Sequence, residues 1–444
     1  MKRLIRPLKA AIGKRLDGES KTLIKNSSWV FIASLNSAVC DFIRSIILGR
    51  GLGVENFGVY ILIITLVHTI QEFFNLNLGT ALIKFGAEYK SSNNIEKLVA
   101  LLKASFALAG ATAIISVLFI AAVNQFAYEV FISQPGLHLY IQVYAIAASL
   151  SFFDYISISF LKLYFKFRLN SLVKILLDVL ELGIIGTAVY LFPGRLSKVI
   201  VAAICALLVK GLIYNGVALW ELRDVILPNL GARIASLRVD WRRIQAFVIN
   251  NSASRTIHTL IFSGDVLLLG ALAGPVQVGY YAIAKKLAFA ILRITDPLSN
   301  SIYPQLATLV AEKRYADVTV MLKKVTSLLA CLIVPIFAIA LVLGEWIMTF
   351  IYGNEYRPAA ISFVILLAAA GISAIFFWST SLIFSLGRVD VRLKAYLLSL
   401  LVGGTLAYLL TPVYGATGLA VSLLVAVAIQ LLMFLSVSVR SLRG

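Results

Sequence analysis

Leu48–Tyr60 reads LGRGLGVENFGVY, and Leu269–Tyr281 reads LGALAGPVQVGYY. Both share Leu-Gly, a later glycine and then Gly-x-Tyr, and both stand between two long apolar runs. A chain that reverses between helices over so few residues needs glycine where the backbone takes positive φ. One turn that occurs twice, at comparable places, predicts a molecule built from two similar halves.

Composition sets the surroundings of those turns. The 444 residues are 60% hydrophobic and 14% charged, with mean hydropathy +0.92. Soluble domains carry about 25% charge, so the class is an all-α integral membrane protein. Twelve spans are expected, at about 28–49, 56–77, 98–124, 138–161, 169–192, 197–220, 245–272, 276–299, 322–350, 359–385, 391–411 and 416–438, each long enough to cross hydrocarbon. The net charge of +19 is explained by orientation and not by nucleic acid. Sorted by connection, only Arg50, Arg195, Lys198 and Arg357 fall on one side, and nearly all other loop Lys and Arg fall on the opposite side. Positive loops stay inside, so both termini are expected in the cytoplasm. Residues 1–27 are basic and polar for too long to be a cleavable signal and are expected to lie on anionic lipid. The connection 221–244, the longest, divides a six-helix bundle at 28–220 from a second at 245–444. With an even number of spans per half, the halves enter the membrane alike and are expected to relate by a pseudo-twofold axis along the membrane normal.

Charges inside the spans carry the functional signal, since one near the bilayer centre costs about 2.5–3.5 kcal/mol on insertion scales. Arg44 and Arg255 each lie in the first span of a half, and Lys285, Lys286 and Arg293 follow in the span after Arg255. These five are the candidate cavity cations, expected to be only partly neutralised at rest so that a large anion can be received. Asp41 stands three residues before Arg44, within pairing reach, and Asp265 shares a span with Arg255. Both are candidate carriers of a coupling ion, H+ or Na+, because intramembrane carboxylates commonly serve that role. Lys174 four residues before Asp178 has ion-pair spacing, with Glu181 close by; simple mutual pairing is the competing reading for any of these charges. Cys40, Cys205 and Cys331 are scattered and lack metal-site spacing, so neither a metal site nor a cofactor is expected.

Asn26–Leu62 (NSSWVFIASLNSAVCDFIRSIILGRGLGVENFGVYIL) resembles the opening of the polysaccharide-export, Wzx-type O-antigen flippase branch of the multidrug/oligosaccharidyl-lipid/polysaccharide (MOP) exporters. Ile351–Ala360 (IYGNEYRPAA) and Pro412–Ala426 (PVYGATGLAVSLLVA) resemble the C-terminal half of that family. The resemblance implies two six-helix bundles around a central cavity. It also implies passage of undecaprenyl-pyrophosphate-linked oligosaccharide, such as an O-antigen repeat unit of lipopolysaccharide, across the bacterial inner membrane. Polysaccharide polymerase and glycosyltransferases are the expected functional neighbours. The family has no strict catalytic motif to carry over.

Two other classes compete. A multidrug exporter of the same fold would favour an acidic cavity for cationic amphiphiles, against which the surplus of buried Lys and Arg counts. An integral-membrane glycosyltransferase or polymerase would need carboxylates near an aqueous face and a substantial outer loop, and the outer connections here are short. His68, His138 and His258 are dispersed, and no GxxxxGK[ST] phosphate loop occurs. The expectation is a transport protein without catalytic residues.

Overall fold

In hydrocarbon a backbone has no water to bond, so each spanning segment must satisfy its own N–H and C=O groups, and apolar runs of this length become helices. The computed structural model describes residues 18–131 and 136–443, with side chains described from residue 26 onward except those of 250, 253–263, 294, 296–297, 299–301, 389 and 442–443. Among the described residues there is no strand. The helices are α1 Gly18–Phe74, α2 Leu78–Ser91, α3 Ile95–Phe131, α4 His138–Ser149, α5 Ser151–Leu163, α6 Phe167–Leu191 and α7 Leu196–Glu221. A linker with the short α8 Arg223–Ile226 leads to α9 Trp241–Phe289, α10 Leu292–Ala311, α11 Tyr315–Tyr352, α12 Ala359–Ile375, α13 Trp378–Ser385 and α14 Val389–Arg443. Among the described residues, seven helices are long and apolar enough to cross a membrane, or eight if the α12–α13 pair, bent by 41°, is one span. Much of the basic segment expected at 1–27 lies outside the described residues.

Three of the long helices are hairpins. α1 breaks at Gly53 (φ 75°), α9 at Gly274 (φ 80°) and α14 at Gly415 (φ 53°). Gly53 and Gly274 are the glycines that the two matching sequence stretches place in their turns, and their backbone lies where a side chain would be strained. The arms fold back: Asp41 and His68 line one cavity, Tyr281 reaches back to Asp265 with a 2.8 Å hydrogen bond, and Ser399 donates to the Ala426 carbonyl at 3.0 Å.

The α1 and α9 hairpins meet reciprocally. A Cβ on Gly58 would overlap the Pro275 carbonyl, and one on Gly279 would overlap the Val54 carbonyl. Likewise Gly49 faces Ile283 and Gly270 faces Leu62. Residues 54 and 275, 58 and 279, 49 and 270, and 62 and 283 each differ by 221 positions, so every contact has a partner with the roles exchanged. That reciprocity is a local pseudo-twofold relation between the hairpins, and it rests on glycine letting two backbones approach. Leu48, Leu62, Val278 and Ile283 bury between them in the largest core. Lipid takes the other faces: Ile114, Leu118 and Phe126 on α3, and Leu328, Val342 and Phe350 on α11, are exposed apolar side chains.

The structure extends the sequence reading at two matching places. The stretch after span two, read as a connection, is the helix α2, whose Leu78, Leu82 and Phe85 are buried. The region after span eight continues as α10 to Ala311, burying Ile302 and Leu306. Both follow a backbone break, at Asn77 (φ 46°) and between Phe289 and Leu292, which a hydropathy window cannot register.

At the end opposite the glycine turns, the linker is held to the first half by polar contacts. Lys97 Nζ and the Tyr89 hydroxyl each reach Asp240 Oδ2 at 2.9 Å. Arg243 pairs with Glu88 at 3.0 Å. The hydrogen bond from Lys97, then that from Tyr89, hold the Asp240 carboxyl below the usual carboxylate range. A lowered folded-state value means that the latch stabilises fully above the ordinary Asp value, about pH 3.9, and is lost as the pH falls through the lowered one. Proteolysis of the 221–244 linker in detergent is therefore expected to stay slow down to about pH 4 and to quicken below it. Asp240→Asn should be cut at the faster rate already at neutral pH; a variant cut as slowly as the parent there would remove the latch.

Candidate functional site

The folding back of α1 places its polar residues against α6 and α7 and opens a cavity of about 440 Å³. Ser37, Asp41 and Arg44 enter it from the first arm of α1, Tyr60 and His68 from the second, Asp154 from α5, Asp178 and Glu181 from α6, and Lys210 from α7. Lys286 on α9 and Arg293 on α10 close it from the other half. Charged side chains thus stand among apolar walls where the α1 and α9 hairpins meet.

The charges form a line of alternating sign. Arg44 donates to Asp41 and to Glu181. Lys286 lies 3.4 Å from the second oxygen of Asp41, and Lys210 lies 3.5 Å from the second oxygen of Glu181. The order is thus Lys286, Asp41, Arg44, Glu181, Lys210. The Lys286–Asp41 pair crosses from the α9 hairpin to the α1 hairpin and is the polar counterpart of the glycine seam. Beside this line, Ser37 donates to Asp178, and Lys174 reaches both of them. The Tyr144 hydroxyl and His68 Nε2 are 3.3 Å apart.

Of the sequence candidates, the cavity gathers Asp41, Arg44, Lys286 and Arg293. Arg293 makes no ion pair among the described residues. Asp265 and Lys285 do not line this cavity: they pair with each other inside the α9 hairpin, and Tyr281 donates to the same carboxylate. Arg255 lies on α9, but its side chain is outside the described residues. The 221-residue offset also sets Asp265, and not Arg255, at the position equivalent to Arg44.

Among the described residues, four carboxylates, Asp41, Asp154, Asp178 and Glu181, face four lining bases, Arg44, Lys210, Lys286 and Arg293. The carboxylates of α6 bring this about. Asp178 and Glu181 share a helix face three residues apart, and the packing of α6 on α1 turns that face inward. Glu181 and Lys210 are the members of the line that the sequence did not single out as site residues. Their only signal was a charge within an apolar run.

The turn end of the cavity is shut. The Ser45 and Tyr352 hydroxyls are 3.3 Å apart, the Tyr356 hydroxyl donates to the Gly49 carbonyl at 3.1 Å, and Arg50 Nε donates to the Ile351 carbonyl at 2.8 Å. These bonds tie the α1 turn to the end of α11, above the seam of glycines.

A model of the family described as polysaccharide biosynthesis protein matches residues 23–310. No curated protein sequence matches the chain. Among solved structures, an inward-facing multidrug resistance MATE family transporter of the MOP superfamily superposes with TM-score 0.70 at 13% identity, covering 92% of this chain and 95% of that one. The lipid II flippase MurJ, in an inward closed conformation, gives TM-score 0.67 at 13% identity, with 91% and 86% covered. A MOP superfamily transporter from Pyrococcus furiosus, described as having a binding pocket of reverse polarity, gives TM-score 0.58 at 13% identity, with 96% of each chain covered. The fold is that of the MOP transporters.

Proposed function

The chain belongs to the polysaccharide biosynthesis protein family, and we propose that it is a flippase for polyprenyl-diphosphate-linked oligosaccharide. The reading places it in the bacterial cytoplasmic membrane with both termini inside, as two six-span halves, 28–220 and 245–444. It moves an undecaprenyl-pyrophosphate-linked repeat unit, of O-antigen or another surface polysaccharide, without covalent chemistry, and it works beside the glycosyltransferases and polymerase that make and extend that unit. An ion gradient drives it.

The line of alternating charge carries this reading. In it Arg44 of the first half and Lys286 of the second are both held by Asp41, so the line crosses the seam between the halves. A diphosphate offers several oxygens to a guanidinium that binds two at once, and it competes with Asp41 and Glu181 for Arg44. When it also draws Lys286 from Asp41, the tie between the halves is released. Cargo binding and the relative movement of the hairpins are then one event. Arg255 and Lys285 remain in the proposal as second-half cations that meet the cargo once the halves separate, and Asp41 and Asp265 as carboxylates that exchange a coupling ion.

In a strain lacking its own exporter, the parent chain is expected to restore surface polysaccharide. Arg44→Ala and Lys286→Ala should each lower it about tenfold or more at normal protein level, the loss expected for one charge-assisted contact. Arg44→Lys should keep part of the activity. Full restoration by both alanine variants would sink the reading. A second reading has one observation in its favour: the four carboxylates on the cavity wall suit a cationic small molecule. Efflux of a cationic dye, lost in Asp178→Asn, with no restoration of polysaccharide, would establish it instead.

A further inference from the structure

Four carboxylates line the cavity, and three of them are in ion pairs: Asp41 with Arg44 and Lys286, Asp178 with Lys174, and Glu181 with Arg44 and Lys210. Asp154 has none among the described residues. Its surroundings are neutral hydrogen-bonding groups in a fixed order. Asn215 Nδ2 donates to Asp154 Oδ1 at 2.7 Å and to the Gly211 carbonyl at 2.8 Å. Ser157 in turn donates to Asn215 Oδ1 at 2.6 Å, which orients the amide. The amide is thereby spent on one carboxylate oxygen, and among the described residues no donor reaches Oδ2. A carboxylate in a membrane bundle with a single amide partner is poorly compensated as an anion. The simplest compensation is a proton on Oδ2.

We propose that Asp154 is a proton-carrying group of this cavity in addition to Asp41, with Asn215 and Ser157 as its positioning residues, and that its protonation is coupled to binding of the anionic cargo. The coupling rests on the flippase reading; the proton site does not. An O–H bond forms at Oδ2 with a proton taken from cavity water, and the side chain goes from anion to neutral. The cavity wall then gains one unit of positive charge. Lys210, which begins the turn holding Gly211, loses a neighbouring anion, and an entering diphosphate is attracted more strongly. Linkage makes this reciprocal: a bound diphosphate must favour the protonated acid. When the cargo leaves on the other side, the O–H bond breaks and the proton returns to water.

The charged groups around Asp154 fit this role. From α7 it meets Lys210, which is tied to Glu181. From α6, Asp178 and Glu181 are held by their own partners. Across the cavity, Asp41, Arg44 and His68 of α1, Lys286 of α9 and Arg293 of α10 share its walls. Most charges on the other helices packed on α5 are engaged elsewhere, and Glu96 stands exposed at the start of α3. On α2, Lys84 lies over the Phe247 ring, Glu88 pairs with Arg243 and Lys90 donates to the Leu163 carbonyl. On α3, Lys97 is bound to Asp240, and Lys103 donates to carbonyls of the linker.

Infrared difference spectra of the full-length protein in lipid, recorded as the pH is lowered, test the site without any cargo. The carbonyl stretch of a protonated carboxyl should appear in the parent, vanish in Asp154→Asn, and persist in Asp154→Glu and Asp178→Asn. Asp154→Asn keeps the shape of the group, and a parent-like melting temperature guards against misfolding. A band that survives Asp154→Asn unchanged overturns the proposal. Inorganic pyrophosphate is the second probe. It should move the titration of that band to higher pH in the parent and leave Arg44→Ala unmoved. A band that belongs to Asp154 but ignores pyrophosphate would retain the proton site and refute the coupling, while the cargo reading stands or falls separately on the export of surface polysaccharide by Arg44→Ala and Lys286→Ala.

Discussion

Gly58→Val should abolish export and destabilise the folded protein by about 3 kcal/mol, the upper end of what overpacking costs. The first atom of the new side chain would overlap the Pro275 carbonyl and crowd the Gly279 nitrogen. Both are backbone atoms at the start of a helical arm, so no rotamer change can relieve the overlap, and the α9 hairpin itself must shift. That shift is transmitted to the reciprocal contact, where Gly279 meets the Val54 carbonyl, and to Gly270 against Leu62. Gly279→Val should behave alike because the seam is nearly symmetric. The control is Gly183→Ala on an open face of α6, where nothing lies within reach of a Cβ; helix propensity favours alanine there by up to about 1 kcal/mol. Thermal unfolding in detergent and restoration of surface polysaccharide read the two effects. A Gly58→Val protein that melts and exports like the parent would mean that the hairpins do not approach as closely as described.

Much of this seam was legible in the sequence. The glycines of LGRGLGVENFGVY and LGALAGPVQVGYY announced two tight turns, and Gly53 and Gly274 do take positive φ there. Hydropathy found the apolar runs because lipid rewards the same side chains wherever they point. For that reason it could not say which way a span faces. Asp178 and Glu181 read as neighbours of Lys174, but only the packing of α6 on α1 delivers Glu181 to Arg44. Asp265 read as a coupling-ion carrier in the span of Arg255, and no spacing in the sequence pointed to Lys285 and Tyr281, to which the return of the α9 hairpin brings it. α2 was read as a connection because its apolar face, Leu78, Leu82 and Phe85, is a stripe and not a continuous run. Contacts near in sequence or fixed by backbone chemistry were readable. Contacts set by helix rotation were not.

Glu181→Gln is expected to cost about 1–3 kcal/mol of stability and to be rescued in large part by a second change at Lys210. Glu181 holds two cations, accepting from Arg44 on one oxygen and facing Lys210 at 3.5 Å on the other. Without its charge, the line Lys286, Asp41, Arg44, Glu181, Lys210 keeps three cations and a single anion. Breaking a buried pair in this way costs about 3–5 kcal/mol when the remaining charge is sealed from water. Here the side chains of Arg44 and Lys210 are 25% and 34% exposed to the cavity, so hydration brings the figure down to the range expected. In Glu181→Gln with Lys210→Met, the remaining Lys286–Asp41–Arg44 group holds two cations about one anion. The removed pair is replaced by a neutral amide and an apolar side chain of similar length, an exchange that is often close to neutral. The double variant should therefore melt nearer to the parent than Glu181→Gln does, with a coupling of about 1 kcal/mol or more between the two positions. Melting of the parent, both single variants and the double variant closes the cycle. If the two losses simply add, Glu181 and Lys210 act independently, and the alternating line is a row of separate pairs and not one network.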